Sequence, residues 1–375
     1  MILLGSPFFY LSLVVAAILI LLVKIKGPVP FLKTFSINLL TLLVLFSFFD
    51  TVAIKFSTKD DFRISHYYYH HGLKALVSEE TRWGSNYDNP YVLNTNSLGF
   101  IDFEPREVSL KKNGKRFVLM GDSFIEGVGY PYEETLAGIV TRELAKKGIE
   151  VLNPSVISYS PKLYYLKMKY YIDQGLELDE LFLFIDISDI IDEVYYDYFN
   201  PAEITVLSKK LRPLDNLFSH NSYVYREIKL KYFEQINPKG FEYWGGEEKF
   251  YGMKSHWIFS NEAYQFYGRE GIELAKMHVN EIWKLCNKNG IKLHIIVYPW
   301  HENLTNNTGN RHRDLWLDFS KKRSLSFLHM FNVFRDIPRN EIGKYFIEKD
   351  IHWSKDGHRL AADFMLDFFD GYLDN

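Results

Sequence analysis

The sequence contains a single cysteine, Cys286, among its 375 residues. One cysteine cannot form an intramolecular disulfide, and it excludes a zinc site built from several thiolates. An excess of one charge is also missing, because 44 basic side chains are balanced by 47 acidic ones and the formal net charge is −3. Broad electrostatic binding to nucleic acid or anionic lipid needs a clustered basic excess. The composition therefore indicates neither a nucleic-acid-binding protein nor a disulfide scaffold.

Three common catalytic signatures are absent as well. The sequence has no His-Glu-x-x-His metallopeptidase motif, no Gly-x-Ser-x-Gly nucleophile elbow and no Gly-x-x-x-x-Gly-Lys phosphate-binding loop. Each motif is needed for a particular chemistry, namely zinc ligation, an exposed serine in an α/β-hydrolase, or binding of nucleotide phosphates. We therefore expect no metal ion and no cofactor.

Charge is also absent from residues 2–23, where the chain is almost purely aliphatic from residue 11 onward. A second apolar run covers residues 34–54 and is interrupted by Asp50. About 20 apolar residues in a helix cross the hydrocarbon core of a bilayer. The pattern predicts a transmembrane helical hairpin over residues 1–56, and a hairpin buried in a soluble fold is the alternative.

The distribution of lysines sets the orientation of this hairpin. Lys24, Lys26 and Lys33 lie between the two runs, and no basic residue precedes the first run. A cleaved signal peptide would carry basic residues before its apolar segment, so that interpretation is disfavoured. Positively charged loops stay in the cytoplasm. The protein is therefore predicted to lie in the cell membrane, with everything after residue 56 on the periplasmic or extracellular side.

Beyond the hairpin, residues 57–115 read as a membrane-proximal linker and lead-in, and residues 116–375 as a catalytic domain. The run of His and Tyr at 66–71 is typical of an interfacial aromatic belt, although His66 and His70 have the spacing of a shared metal site. Short apolar runs then alternate with helical stretches, which predicts an α/β fold with a buried parallel sheet. The predicted strands are 117–120, 150–152, 181–185, 291–298 and 326–330, and the predicted helices are 133–147, 162–174, 262–289, 311–322 and 357–369. An aromatic-rich insertion at about 194–260 interrupts the alternation and predicts a lid or an aromatic wall.

Chemistry in such sheets is found where strands end. The first strand runs into Gly121-Asp122-Ser123, in which glycine permits a sharp turn and Ser123 begins a helix. A serine hydroxyl needs a base to take its proton. Near the C-terminus, Asp350 and His352 are two residues apart, so in extended backbone they share a side and the carboxylate can orient the imidazole. Ser123, His352 and Asp350 are therefore predicted to form a catalytic triad.

On the basis of these motifs, the chain resembles the SGNH (GDSL-type) hydrolase superfamily over roughly residues 94–372. The resemblance rests on Gly121-Asp122-Ser123-Phe124 and on Asp350-Ile351-His352-Trp353, the second being the form seen in membrane-linked members similar to alginate and other polysaccharide O-acetyltransferases. It implies a three-layer α/β/α domain and an oxyanion hole formed by the Ser123 and Ser158 amides with the Ser188 hydroxyl. Ser158 stands where the family usually has glycine, and Ser188 stands where it has asparagine.

The expected function is that of an O-acetylesterase or O-acetyltransferase acting on a cell-envelope or exported polysaccharide. A multispanning membrane protein that donates acyl groups is the partner that the resemblance implies. Aromatic rings stack on sugar faces, so Tyr298, Trp300 and His301, together with Asp189, are candidate substrate-binding residues, with core packing as the alternative for the aromatics. Two other functions stay open: a catalytically weak carbohydrate-binding or assembly subunit, and a lipid-directed esterase or thioesterase.

Overall fold

The computed structural model describes residues 10, 12–18, 21, 30–56, 62–84, 89–236, 254–305 and 310–373. The chain divides into two compact units, one made of residues 1–67 and 202–238 and the other of residues 68–201 and 239–375. Most of the first predicted membrane run, and residues 22–29 of the lysine-rich loop, lie outside the described residues, whereas Lys33 of that loop belongs to a helix.

The first unit contains the second apolar run, which forms helix α1 (Pro30–Phe56). Among the described residues, α1 is the one helix whose Thr34–Ile54 stretch is long and apolar enough to cross a membrane. The unit also contains strand β1 (Arg63–His66) and part of the predicted insertion. That part forms two helices, Val206–Asn221 and Tyr223–Ile236. Residues 237–253 of the insertion lie outside the described residues, and residues 194–201 and 254–260 belong to the second unit.

The second unit begins with a short strand, β2 (His70–Leu73), and a small antiparallel sheet in the lead-in. The antiparallel strands are β3 (Ser78–Thr81), β4 (Tyr91–Thr95) and β5 (Ile101–Asp102). Ile101 forms an isolated bridge to Asn153, which follows a strand of the main sheet. This bridge joins the lead-in to the loop that follows a strand of the main sheet.

The main sheet has five parallel strands in the order β10-β9-β8-β6-β7, which confirms the predicted α/β fold with a parallel sheet. Its central strand, Glu180–Ile185, is buried along its whole length, as expected where helices cover both faces. The five strands are β6 (Lys115–Met120), β7 (Ile149–Leu152), β8 (Glu180–Ile185), β9 (Lys292–Val297) and β10 (Ser326–His329).

Helices connect these strands because parallel neighbours require crossover connections. From β6 onward they are α2 (Ser123–Glu126), α3 (Leu136–Ala145), α4 (Pro161–Asp173), α5 (Asp189–Tyr196), α6 (Val206–Asn221), α7 (Tyr223–Ile236), α8 (Asn261–Ala263), α9 (Arg269–Lys288), α10 (His301–Thr305), α11 (Arg311–Lys321), α12 (Phe331–Arg335) and α13 (Lys355–Leu373). The helix predicted over 262–289 is divided by a π-helical turn at Tyr264–Gly268. At this turn the Tyr267 hydroxyl accepts a hydrogen bond from the Trp257 amide (3.2 Å).

Candidate active site

Ser123 lies at the turn that follows β6, at the first position of α2. Asp122 caps this helix, because its Oδ1 accepts the Phe124 N–H at 3.0 Å. The Tyr298 hydroxyl donates to the same oxygen at 3.1 Å and holds the cap from behind. These bonds fix Ser123 at the carboxyl end of the sheet. The residue is nearly buried, with 6% of its surface exposed.

His352 and Asp350 reach Ser123 from the loop before α13. The Nε2 atom of His352 lies 2.7 Å from Ser123 Oγ, and its Nδ1 atom lies 2.5 Å from Asp350 Oδ1. The Phe124 ring packs against the imidazole with the centroids 4.8 Å apart. A neutral imidazole that donates from Nδ1 to the carboxylate presents the Nε2 lone pair to the serine hydroxyl. The structure thus brings the three predicted catalytic residues together in the geometry of a nucleophile, a base and an orienting acid.

Trp83 is a component of this site that sequence reasoning missed. Its indole N–H donates to Asp350 Oδ2 at 3.0 Å, and its ring meets the His352 ring edge-on with the centroids 5.2 Å apart. Burial raises the pKa of the Asp350 carboxyl, but the hydrogen bonds and charge of His352, with the Trp83 hydrogen bond, outweigh burial and lower that pKa below its usual value. No local motif marks Trp83, which lies in the lead-in, far from Asp350 in the sequence.

The loop after β7 carries Ser158 with a left-handed backbone (φ +58°), a conformation that favours glycine. Both ends of the preceding residue are held. The Ile157 N–H donates to Glu126 at 2.6 Å, and its carbonyl oxygen lies 2.9 Å from His71 Nε2. Within the described part of the chain, neither the Ser123 nor the Ser158 amide donates to another protein group. Both residues line the same cavity, and their amides are the candidate oxyanion donors.

The third predicted oxyanion donor has a different partner. The Ser188 hydroxyl donates to Asp186 at 2.6 Å, and the Ser188 amide donates to the same oxygen at 2.7 Å. The other Asp186 oxygen accepts the Trp300 indole N–H at 2.7 Å. A hydroxyl has one proton to donate, so in this arrangement Ser188 presents no O–H donor to an oxyanion.

A cavity of about 650 Å³ opens over Ser123 and His352. Of the four candidate substrate-binding residues, Trp300 and His301 line it. Tyr298 and Asp189 do not line it, since both are fully buried and bonded to Asp122 and Tyr164 respectively. The cavity is lined by both apolar and polar side chains. The apolar lining consists of Trp83, Ile157, Phe346, Ile347 and Ile351, and the polar wall of Asp192, Lys254, His301 and Glu302.

Buried carboxyl groups lie behind the nucleophile. Burial, and then the neighbouring Asp186 charge, raise the pKa of Asp122 well above its usual value. Burial also raises the pKa of Asp189, followed by the charges of Asp122 and Asp186. Among the described residues, no group of three or more His, Cys, Asp or Glu side chains is placed to hold a metal ion.

No protein-family model matches the chain, and no curated relative matches it either. The comparison with solved structures gives low-scoring similarities. One is a member of the lipolytic protein G-D-S-L family from Veillonella parvula (9% identity, 68% of this chain and 99% of that one, TM-score 0.39). Another is the psychrotrophic esterase EstA from Pseudoalteromonas sp. (10% identity, 70% and 100%, TM-score 0.40). A third is Axe2, an acetylxylan esterase from Geobacillus stearothermophilus (10% identity, 68% and 94%, TM-score 0.39).

Proposed function

We propose that this protein is a serine-dependent acyl-ester enzyme. The observation that carries the proposal is the hydrogen-bonded chain from Ser123 through His352 to Asp350 on the floor of an open cavity. Ser123 Oγ attacks the ester carbonyl carbon while His352 Nε2 takes the hydroxyl proton. Asp350 keeps the imidazole oriented and stabilises the imidazolium that forms. The Ser123 and Ser158 amides donate to the carbonyl oxygen as it becomes negative.

Collapse of the tetrahedral intermediate transfers the proton from His352 to the leaving alcohol and leaves an acyl group on Ser123. A second acceptor then enters, loses its proton to His352 and takes the acyl group, which regenerates the serine hydroxyl. With water as the acceptor the product is a carboxylic acid, and with a sugar hydroxyl it is a new ester. The same residues thus perform O-acyl hydrolysis or O-acyl transfer.

The polar wall supports a carbohydrate ester as the substrate. Lys254 is 8% exposed and its ammonium lies 3.3 Å from Asp192, which is 1% exposed. Glu302 is held from the side by the Ser255 hydroxyl at 2.7 Å. Carboxylates accept hydrogen bonds from hydroxyl groups and an ammonium donates to them, so these residues can bind a polyhydroxylated group in the same cavity as Ser123.

We propose further that α1 anchors the enzyme in the cell membrane with its catalytic unit on the periplasmic or extracellular side. The support is the length and apolar character of Thr34–Ile54 and the lysines that precede it. In that position the substrate is an envelope or exported polysaccharide. A multispanning membrane protein is the proposed source of acyl groups if the enzyme works as a transferase.

A binding or assembly subunit of a polysaccharide-modifying complex is the second candidate. The observation that favours it is the Ser188 hydroxyl, which is bonded to Asp186 and leaves the oxyanion hole with two amides. Weak stabilisation of the oxyanion would reduce turnover while leaving sugar binding intact.

Turnover assays test these proposals with the full-length protein in detergent or nanodiscs. An acetylated neutral oligosaccharide and a long-chain p-nitrophenyl ester are compared, with Ser123→Ala as the control. We expect Ser123-dependent release or transfer of acetate from the oligosaccharide and little long-chain turnover. Binding of the oligosaccharide without turnover would favour the assembly subunit, and preference for the long-chain ester would favour a lipid-directed esterase.

A further inference from the structure

The helices α6 and α7 expose apolar side chains that a soluble surface would normally bury. Leu207 is 65% exposed, Leu214 is 50% exposed and Ile228 is 63% exposed. In α6 the exposed leucines recur at the spacing of one helix face, at positions 207, 211 and 214. Many exposed apolar side chains on two adjacent helices mark an interaction surface. The exposed apolar residues of the pair are Val206, Leu207, Leu211, Leu214, Leu217, Tyr223, Ile228, Leu230 and Tyr232.

This helix pair contacts the end of the apolar helix α1 within the same unit. The Val224 amide, in the first turn of α7, donates to Asp50 Oδ1 at 2.9 Å. Asp50 is 3% exposed and lies in the last part of the Thr34–Ile54 stretch. A carboxylate at this point of a spanning helix marks the level at which the helix leaves the hydrocarbon. With α1 spanning the membrane, the junction between α6 and α7 would lie at the headgroup level of that leaflet.

The charge of the pair also suits a membrane surface. Although the whole chain has a formal net charge of −3, residues 206–236 carry six basic and three acidic side chains, a difference of +3. The basic ones are Lys209, Lys210, Arg212, Arg226, Lys229 and Lys231, and the acidic ones are Asp215, Glu227 and Glu234. The Lys209 ammonium lies 5.2 Å from the centroid of the Tyr67 ring, and tyrosine is enriched at membrane interfaces.

We propose that α6 and α7 lie on the membrane, with their exposed apolar side chains in the headgroup and acyl boundary and the exposed Lys209, Lys210 and Lys231 on anionic lipid headgroups. Amphipathic helices with basic side chains bind bilayers in this way. The proposal depends on the part of the proposed function in which α1 spans the membrane, and it does not depend on the catalytic chemistry.

Site-directed spin labelling of the full-length protein in liposomes tests this arrangement. The native cysteine is replaced (Cys286→Ala), and single cysteines are introduced by Leu207→Cys, Leu214→Cys, Leu42→Cys in α1, and Lys146→Cys in the second unit as an aqueous reference. Accessibility to oxygen and to a water-soluble nickel chelate reports the depth of each label. The vesicles contain phosphatidylcholine with or without phosphatidylglycerol.

We expect the labels at 207 and 214 to favour oxygen over the nickel chelate, more strongly with phosphatidylglycerol, and the label at 146 to favour the chelate. Labels at 207 and 214 that resemble the label at 146, while the one at 42 lies in lipid, would overturn the proposal and leave the span intact. Shielding of both labels from both reagents would overturn it in favour of a protein-covered surface. A water-exposed label at 42 would overturn the span itself, and with it the proposal.

A separate observation concerns the base. Trp83 donates to the Asp350 oxygen that does not bond to the His352 ring. The neighbouring residue, Gly84, has a left-handed backbone (φ +52°), and a Cβ atom there would lie 2.6 Å from Asp350 Oδ2. Only glycine therefore lets this segment of the lead-in approach the carboxylate so closely.

We propose that Trp83 is a positioning residue, which fixes the Asp350 carboxylate so that its other oxygen orients His352. Without the indole N–H the carboxylate can rotate about its χ angles, and its pKa rises because one of the hydrogen bonds that lower it is lost. The other titratable groups around the imidazole are His358, whose pKa is lowered by burial and by His352, and Asp122, which contacts Ser123.

Trp83→Phe removes the N–H but keeps an aromatic ring. With p-nitrophenyl acetate we expect kcat to fall about 10-fold, as for the loss of one hydrogen bond to a charged group, with KM little changed. The acidic limb of the pH profile should move to higher pH. Trp316→Phe is the matched control, because the Trp316 indole N–H has no partner among the described residues and lies outside the site.

A second pair of variants separates positioning from backbone strain. Gly84→Ala and Gly148→Ala both place a side chain on left-handed backbone, but at Gly148 (φ +74°) the new Cβ meets no atom within 4 Å. We expect the loss of kcat and the shifted pH limb in Gly84→Ala alone. Wild-type kcat and pH profile in Trp83→Phe, or a change confined to KM, would overturn the positioning role, as would equal losses in the two alanine variants.

Discussion

His352 Nε2 lies 2.7 Å from Ser123 Oγ, although the two residues are 229 positions apart in the sequence. Ser123 follows β6, whereas His352 precedes the final helix, α13. Both residues are less than a tenth exposed, so their hydrogen bond is shielded from bulk water. Shielding strengthens the bond and preorganises the proton transfer on which the proposed chemistry depends.

Asp350→Asn is expected to lower kcat by about 10³-fold to 10⁴-fold with the fold intact. The amide keeps the size of the carboxylate but favours the wrong tautomer of the imidazole and cannot stabilise an imidazolium. Steady-state kinetics and thermal melting of the same preparation check this. A loss of less than tenfold would contradict the orienting role of Asp350.

Ser158→Gly is expected to retain activity, because the proposed donor is the backbone amide and glycine accepts the left-handed φ of +58° without strain.

Ser188→Ala is expected to lower kcat by less than about fivefold, since its hydroxyl donates to Asp186. Loss of a donor that contacts the oxyanion would cost 10²-fold or more. A loss of that size in Ser188→Ala would show that the hydroxyl turns into the oxyanion hole during turnover.

Glu302→Gln is expected to reduce the preference for an acetylated oligosaccharide over p-nitrophenyl acetate by about 5-fold to 10-fold. The substitution replaces a charged acceptor in the polar wall by an amide, which should weaken hydrogen bonds to sugar hydroxyls, whereas the small ester has no hydroxyl groups to lose them. Glu348→Gln is the control, since this side chain is 83% exposed at the cavity rim. Comparing kcat/KM for both substrates gives the ratio, and equal ratios in the two variants would argue against sugar binding at this wall.

Asp189→Asn is expected to raise the melting temperature, and more so at pH 8 than at pH 5. Because the pKa of Asp189 is raised in the folded protein, the folded state binds more protons than the unfolded state above about pH 4. Stability from this group therefore falls as the pH rises through that window. An asparagine amide stays neutral, can accept from the Asp186 amide and can donate to the Tyr164 hydroxyl. An unchanged pH dependence of melting would contradict this sign.

The sequence predicted the parallel sheet because its strands are continuous apolar runs, and the predicted segments 117–120 and 181–185 fall within β6 and β8. It also pointed to Ser123, Asp350 and His352, because strand ends and short spacings are local features. The sequence pattern did not predict contacts between residues that are far apart in the chain. Trp83 contacts Asp350, and His71 and Glu126 hold the two ends of Ile157, yet none of these pairs has a local pattern.

The substrate-binding prediction shows the same limit. Tyr298 and Trp300 both follow β9, but Tyr298 turns inward to Asp122 while Trp300 reaches the cavity wall. The resemblance implied that the Ser188 hydroxyl donates to the oxyanion. In the structure this hydroxyl donates instead to Asp186, two residues before it. Side-chain direction after a strand depends on the surrounding packing, which the sequence pattern does not reveal.

Covalent labelling of the full-length protein with a fluorophosphonate tests the central claim most directly. Intact-mass analysis of the wild type, Ser123→Ala and His352→Ala is followed by mapping of the modified peptide. We expect one adduct on Ser123 in the wild type, none in Ser123→Ala, and greatly slowed labelling in His352→Ala. A well-folded wild-type protein that remains unlabelled, or labelling that persists in both variants, would contradict an activated Ser123.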